Sequence, residues 1–345
     1  MSNNESPKAL HWQQARLNLN EEYSEPPIIL KVDDSIICTL GNFSASAGKE
    51  KSKKTFNVSA LTACLLSGKR VLNYSPMPIG ERNKVLYVDT EQSNFHCKKV
   101  ARRILYLAGL EESEFANRLI FLALRRYSPQ DRIELIEQAI YDNPDVFLVI
   151  IDGLRDLVQD INNPTEATTI MSKLQKWTDE RNIHIHNVLH LNKGDDNTRG
   201  HLGTELNNKA ETILQITKSV EDKNTSIVSP KTVRDIDFDD FAFCINNQGL
   251  PELLENYTSG SPVSKPFSYD ELSEEEHRKA LELTFKPNAQ LGYSELIERL
   301  QKCYKEATGI DLGIGRTKKL KVFLSNKRMI VQVDKKYEFN KDFYY

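Results

Sequence analysis

Seven consecutive residues, Val146 to Asp152, read VFLVIID. Six of them are apolar in unbroken order. A strand without polar alternation is covered on both faces, and such strands belong to parallel sheets whose crossovers are helices. The surrounding pattern agrees. Strands are expected at Ile36 to Thr39, Phe43 to Ala47, Val85 to Asp89, Leu119 to Leu124, Val146 to Ile151, Ile183 to Leu191, Thr212 to Thr217, Ser226 to Ser229 and Phe241 to Asn246. Helical patterns fall at Thr55–Ser67, Ser93–Ala108, Pro129–Tyr141 and Thr165–Arg181. Strands separated by helices mean βαβ units, hence an α/β fold with a mostly parallel sheet. The last strands have no helices between them and should add antiparallel.

Around this core the chain changes character. Residues 1–27 are polar, end in Pro26-Pro27 and read as an N-terminal arm; residues 28–250 form the α/β domain. Residues 251–268 contain NYTSGSPVSKP, a linker composition. Residues 269–345 carry helical patterns at Tyr269–Thr284, Gly292–Gly309 and Thr317–Ser325, then a β-pair at Met329–Val333 and Tyr337–Phe339. Helices closing on a small β-wing suggest a winged-helix-like module. Of the 345 residues 39% are hydrophobic, enough for a buried core. The longest clean apolar run is far short of the ~20 residues a bilayer span needs, so no membrane association is expected. The five cysteines are scattered and form no CxxC pair, which favours a reducing compartment, the cytoplasm. Net charge is only −3, yet residues 314–345 hold nine Lys/Arg against three acids, a distribution that fits phosphate-backbone binding as well as a solvated surface.

The chemistry centres on GKEKSKKTF, Gly48 to Phe56, after a strand and before a helix. Against the phosphate-loop pattern G-x-x-x-x-G-K-[ST] it matches Gly48, Lys54 and Thr55, with Lys53 in place of the second glycine. Such loops wrap backbone N–H groups round phosphates, place lysine on the β/γ-phosphates and give the hydroxyl to Mg²⁺. Lys49, Ser52, Lys53 and Phe56 would complete the cofactor-binding set. Asp152 ends VFLVIID, where a carboxylate would hold the Mg²⁺ shell. VLYVDTE ends a further strand in Asp89 and Glu91, either of which could orient and deprotonate water. The spacing of His186 and His190 in IHIHNVLHL would need a helix to share one metal-binding face, and the segment reads as a strand without a nearby Cys or Glu partner. Alternation leaves Ile183 and Ile185 on one face, His184 and His186 on the other. Trp12 and Trp177 are expected to pack.

The order GKEKSKKT, YVDTEQS, VIIDGLRDL, VLHLNK and RGHLGTELNNKAETILQI resembles the RecA-fold ATPases, over roughly residues 30 to 250. The closer likeness is to ring-forming replicative helicases of the DnaB and plasmid RepA type and to AAA-type ATPases of mobile elements. The resemblance implies a RecA-like P-loop NTPase core using ATP and Mg²⁺. Lys54 and Thr55 would bind phosphate and metal, Asp152 would be the Walker B acid and Glu91 the catalytic carboxylate. His190 stands where these families keep a γ-phosphate sensor, often glutamine. Lys231 and Arg234, in SPKTVRD, resemble the basic pair inserted into a neighbour's site as an arginine finger. NKGDDNTRGHLG, Asn192 to Gly203, takes the place of the channel loop that reaches single-stranded DNA, with Arg199 and His201 as contacts and Lys318 and Lys319 as further DNA-binding residues of the basic tail. The implied assembly is a homo-oligomer, a hexamer in those families, with a replication initiator or primase as partner. Three functions stay open: a helicase-type motor, an ATP-dependent recombinase or mediator, and a low-turnover nucleotide-binding regulator.

Overall fold

The computed structural model describes residues 12–191, 200–219, 222, 224–255, 257, 269, 272–286, 290–310 and 312–343. The chain divides into two compact units, Met1–Ser259 and Gly260–Tyr345. The first runs β1 (Ile28–Val32), β2 (Ser35–Thr39), β3 (Phe43–Gly48), α1 (Lys54–Ser67), β4 (Tyr74–Pro76), β5 (Lys84–Asp89), α2 (Asn94–Ala108), α3 (Phe115–Arg118), β6 (Leu119–Ala123) and α4 (Pro129–Asp142). It continues through β7 (Val146–Asp152), α5 (Pro164–Arg181), β8 (His184–His190), α6 (Gly200–Lys209), β9 (Thr212–Lys218), β10 (Thr225–Val233), β11 (Phe241–Ile245) and β12 (Pro251–Leu253). The main sheet has the order β12-β11-β10-β9-β3-β8-β7-β5-β6. β9, β3, β8, β7, β5 and β6 pair parallel; β10, β11 and β12 add antiparallel, as the missing helices foretold. This is the RecA-like α/β arrangement.

Period-two alternation sorts each central strand between two cores. In β7, Leu148 and Ile150 join α1 and α2 on one side, while Val149 and Ile151 join α4, α5 and α6 on the other. Both faces are apolar because both are covered, which is why VFLVIID shows no polar beat. Helix ends follow local chemistry: Ser128 caps α4 in a reciprocal box with Asp131, and Asn163 accepts from the N–H of Thr165 and Glu166 ahead of Pro164.

One polar line crosses the α1 side of the sheet. The Thr39 carbonyl can only accept, so His184 Nδ1 donates to it at 2.8 Å. His184 Nε2 then accepts from Ser44 Oγ, Ser44 Oγ accepts from His186 Nδ1, and His186 Nε2 accepts from Ser46 Oγ, each at 2.7–2.8 Å. Burial pulls His184 down to about 4 and His186 to about 3, so both rings are neutral and this donor order is forced. Contrary to the expectation from sequence, a cysteine and a glutamate do stand beside these histidines. Cys38 lies within 4.8 Å of both, and Glu211 Oε1 is 3.4 Å from His184 Nδ1. Ser44 Oγ stands between the two imidazoles, so the cluster is a satisfied hydrogen-bond chain.

Other differences have local causes. β1, β2 and β4 make a small antiparallel sheet of their own; β4 is too short to register as a strand, and β1, as long as β2, is not among the expected strands. Pro251–Leu253, inside the expected linker, is β12, where a proline at the outer edge of a sheet costs no ladder bond. Residues 192–199 of the expected channel loop lie outside the described residues, and Gly200 to Gly203 begin α6. Trp12 is 71% exposed and does not pack, unlike Trp177.

The second unit contains α7 (Glu274–Phe285), α8 (Tyr293–Thr308), α9 (Ile314–Asn326), β13 (Ile330–Val333) and β14 (Lys336–Phe339), the last two antiparallel. Leu281, Leu300, Tyr304, Leu320 and Leu324 form its core. Asp334 and Lys335 at the hairpin tip both have positive φ, the geometry of a tight two-residue turn.

Trp177 is 1% exposed and its Nε1 donates to Glu137 Oε1 at 3.0 Å. Trp177→Ala should cost about 3–5 kcal/mol of stability, measured by chemical denaturation, and Trp177→Phe markedly less.

Candidate functional site

The C-terminal ends of β3, β5, β7 and β8 open on one crevice, the edge where parallel α/β sheets bind ligands. β3 ends in Gly48, and residues 49–53 lead into α1. Glycine is required at 48: a Cβ there would lie 2.4 Å from the Ile216 carbonyl oxygen and 2.6 Å from Ser52 Oγ. The loop turns through Lys51 (φ 63°) and Lys53 (φ 67°, ψ 30°), both left-handed, a winding that makes an anion-binding concavity of backbone N–H groups. A non-glycine residue in that region costs about 1–2 kcal/mol. Contacts with β10 and the residue before it offset it: Lys53 Nζ donates to the Asn224 carbonyl, and Ser226 Oγ donates to the Ser52 carbonyl at 3.2 Å. That explains why lysine is tolerated where the phosphate-loop pattern has glycine. Ser52 Oγ is buried and has no hydrogen-bond partner among the described residues.

Lys54 Nζ donates to the carbonyls of Gly48 (2.8 Å) and Lys49 (2.9 Å) and lies 3.2 Å from His190 Nδ1. Burial pulls it down to about 8 against the pull of Asp152 and Glu91. Thr55 Oγ1 donates to Asp152 Oδ2 at 3.1 Å, and Tyr87 OH donates to the same oxygen at 2.9 Å. Burial, with Asp89 nearby, raises Asp152 from 3.8 to about 6. Glu91 Oε1 is 3.4 Å from His190 Nε2, and that contact holds the carboxyl below its usual range. Asp89 is already spent: it accepts from the N–H groups of Glu91 and Gln92 and from Gln92 Nε2. Glu91, half exposed at the mouth, is the carboxylate with room for water.

These residues share a cleft of about 470 Å³ with groups that sequence reasoning missed, namely Gln92, His96, Lys99 and Arg103. His96, Lys99 and Arg103 recur at i, i+3 and i+7, one face of α2. That spacing was visible in the sequence. Phe56 is a wall: its ring lies 3.7 Å below the Arg103 guanidinium.

Other expected site residues are elsewhere. The N–H of Arg234 donates to the Glu211 carbonyl, and the N–H of Glu211 to that of Phe43, at the start of β3. Phe43 and Gly48 are separated by roughly 17 Å of strand, so Arg234 is exposed at the sheet end opposite its own cleft. Lys231 falls at an irregularity of β10, between the Pro230 and Thr232 pairings. Arg199 lies outside the described residues. His201 is exposed in the first turn of α6, and Lys318 and Lys319 are exposed on α9 of the second unit.

A family model described as an AAA domain matches residues 24–196. The chain belongs to the AAA-domain family. The matched stretch of this AAA-domain chain spans β1 through β8, the cleft included. Among solved structures the chain is similar to the RadB recombinase, with 14% identity and a TM-score of 0.44, covering 61% of this chain and 90% of that one. A comparison with curated proteins returns no match.

The cleft fits a nucleotide with a divalent cation. Gly48 clears the backbone, Ser52 Oγ awaits a partner, Lys54 supplies an ammonium, and a hydroxyl beside a carboxylate is an oxygen pair suited to Mg²⁺. The donors carry a folding cost. Because the folded carboxyl of Asp152 titrates near 6 rather than 3.8, its contribution to stability is complete below about pH 4 and is lost as pH rises through 6. Asp152→Asn should therefore raise the unfolding free energy of the nucleotide-free protein at pH 8, by on the order of 1–3 kcal/mol by chemical denaturation, and leave it unchanged at pH 4. The same substitution should weaken Mg²⁺-nucleotide binding.

Proposed function

We propose that this chain is a Mg²⁺-dependent, ATP-hydrolysing motor that works as a homo-oligomeric ring on single-stranded DNA, of the replicative-helicase type. The observation that carries the reading is the cleft in which Lys54, Thr55, Asp152, Glu91 and His190 converge, with Arg234 out of reach at the other end of the sheet. Lys54 binds the β/γ-phosphates. Thr55 and Asp152 hold Mg²⁺, which when bound neutralises phosphate charge and polarises the γ-phosphorus. Glu91 orients water and takes its proton, and His190, between Glu91 and Lys54, senses the terminal phosphate. Arg234, with Lys231 nearby, serves the cleft of an adjacent copy, since its own is out of reach. Arg199, His201, Lys318 and Lys319 contact DNA. A replication initiator or primase is the fitting partner.

The test uses two variants with defects on opposite ends of the subunit. Lys54→Ala should abolish ATP turnover, and Arg234→Ala should lower it by roughly 10³-fold or more while nucleotide still binds. Mixed together, the two should regain turnover that neither shows alone, because some interfaces then hold one intact cleft and one intact arginine. Full activity of Arg234→Ala alone would remove it as the finger. Only monomers by light scattering, with ATP and single-stranded DNA present, would remove the ring. Turnover without unwinding would favour the recombinase or mediator; tight binding with negligible turnover would favour the regulator.

Glu91→Gln should keep nucleotide binding and lose roughly 10²- to 10⁴-fold in turnover. A normal rate in that variant would assign the base elsewhere.

A further inference from the structure

The α2 wall of the cleft carries a charge that Lys54 and Thr55 do not account for. Arg103 is only partly exposed and its guanidinium lies flat over Phe56, the residue directly after Thr55. Its protein bonds are few and long: Nε to the Gly249 carbonyl at 3.3 Å and Nη1 to Ser59 Oγ at 3.5 Å. Nη2 has no hydrogen-bond partner among the described residues, and no carboxylate among them pairs with the group. Burial accordingly depresses the guanidinium below its usual range. A cation withdrawn from water without a counter-ion destabilises the fold that keeps it. Packing alone would be served by an uncharged side chain on Phe56.

The surroundings say what the charge meets. Phe56 lies in the first turn of α1, so its contact with Arg103 puts the guanidinium beside the turn where the phosphate loop ends, and Ser59 extends that contact by one turn along the helix. Lys99, one turn earlier on α2, also lines the cleft. Lys51, Lys53, Lys54, Lys99 and Arg103 together face two carboxylates, Glu91 and Asp152, an excess of positive charge suited to a polyanion. A planar fork with unused donors matches the paired oxygens of a phosphate better than those of a neutral sugar or base.

We propose that Arg103 is a nucleotide-binding residue that donates to the polyphosphate from the α2 side of the cleft, opposite Lys54. The proposal rests on the reading of the cleft as a nucleotide site. It adds a phosphate contact from the same chain, distinct from the arginine supplied by a neighbour.

The test measures equilibrium binding of ATP, ADP and AMP, each with Mg²⁺, to the full chain as wild type, Arg103→Met and Arg103→Lys. Thermal unfolding of each is followed without nucleotide. Arg103→Met should weaken ATP binding roughly 10- to 100-fold, ADP less and AMP least. Arg103→Lys, a point charge without the fork, should fall between. The unfolding midpoint of nucleotide-free Arg103→Met should match or exceed wild type, because methionine keeps the contact with Phe56 and removes an unpaired charge. An equal loss for all three nucleotides, or unchanged affinity with a lowered midpoint, would overturn the proposal and make Arg103 a structural prop. Wild-type protein that binds none of the three would instead overturn the nucleotide reading of the cleft, and this assignment with it.

Discussion

The register between β3 and β8 is the constraint on which the rest of the first unit depends. Ser44 pairs with His186, Ser46 with Val188 and Gly48 with His190. The hydroxyls of Ser44 and Ser46 and the imidazoles of His184 and His186 complete one another's hydrogen bonds in a single allowed order. A slip of one residue by β8 would turn His184 and His186 to the face opposite Ser44 and Ser46 and leave all four buried without these bonds. An apolar pairing would tolerate such a slip more cheaply. The aligned strands then deliver Gly48 and His190 side by side, which is what lets Lys54 touch His190 and His190 touch Glu91. The polar line thus specifies alignment more than it adds stability.

The cleft is built against the interests of the fold. Asp152 is held in a setting that favours its protonated form, Lys54 in one that weakens its hold on a proton, and Lys53 in a backbone conformation suited to glycine. The charged forms of Asp152 and Lys54 are disfavoured by burial in the bare protein and would be favoured beside a divalent cation and a polyphosphate respectively. Ser52 Oγ, buried with no partner among the described residues, belongs beside them. On the nucleotide reading proposed above, binding energy would offset that cost. The start of β10 shares the burden, since Asn224 just before it bonds Lys53 and Ser226 within it bonds the Ser52 carbonyl.

Strand β10 also runs the length of the sheet. Its start braces the phosphate loop, and its end leads to Arg234 beside Glu211 and Thr39. Glu211, raised to about 7 by burial, accepts from the Thr39 N–H and hydroxyl. One antiparallel strand therefore spans from the cleft of its own chain to an exposed arginine. That geometry suits an arginine that acts on a second copy.

The sequence determined the elements by itself. Unbroken apolar runs marked strands covered on both faces, 3.6-residue spacing marked the helices between them, and Gly48, Lys54 and Thr55 marked the loop, because these are local consequences of side-chain period and turn chemistry. The α2 face of His96, Lys99 and Arg103 was present as spacing, but spacing alone does not say which face of a helix meets a cleft. Strands as short as β4 and β12 escaped notice because three residues carry too little period to register. Tertiary structure alone decided that Cys38 and Glu211 stand beside His184, that Asp89 is consumed by the turn into α2 while Glu91 stays open, and that Arg234 lies at the far end from Gly48. Those facts depend on which strands become neighbours and in what register. That is a global property of packing, and no window along the chain contains it.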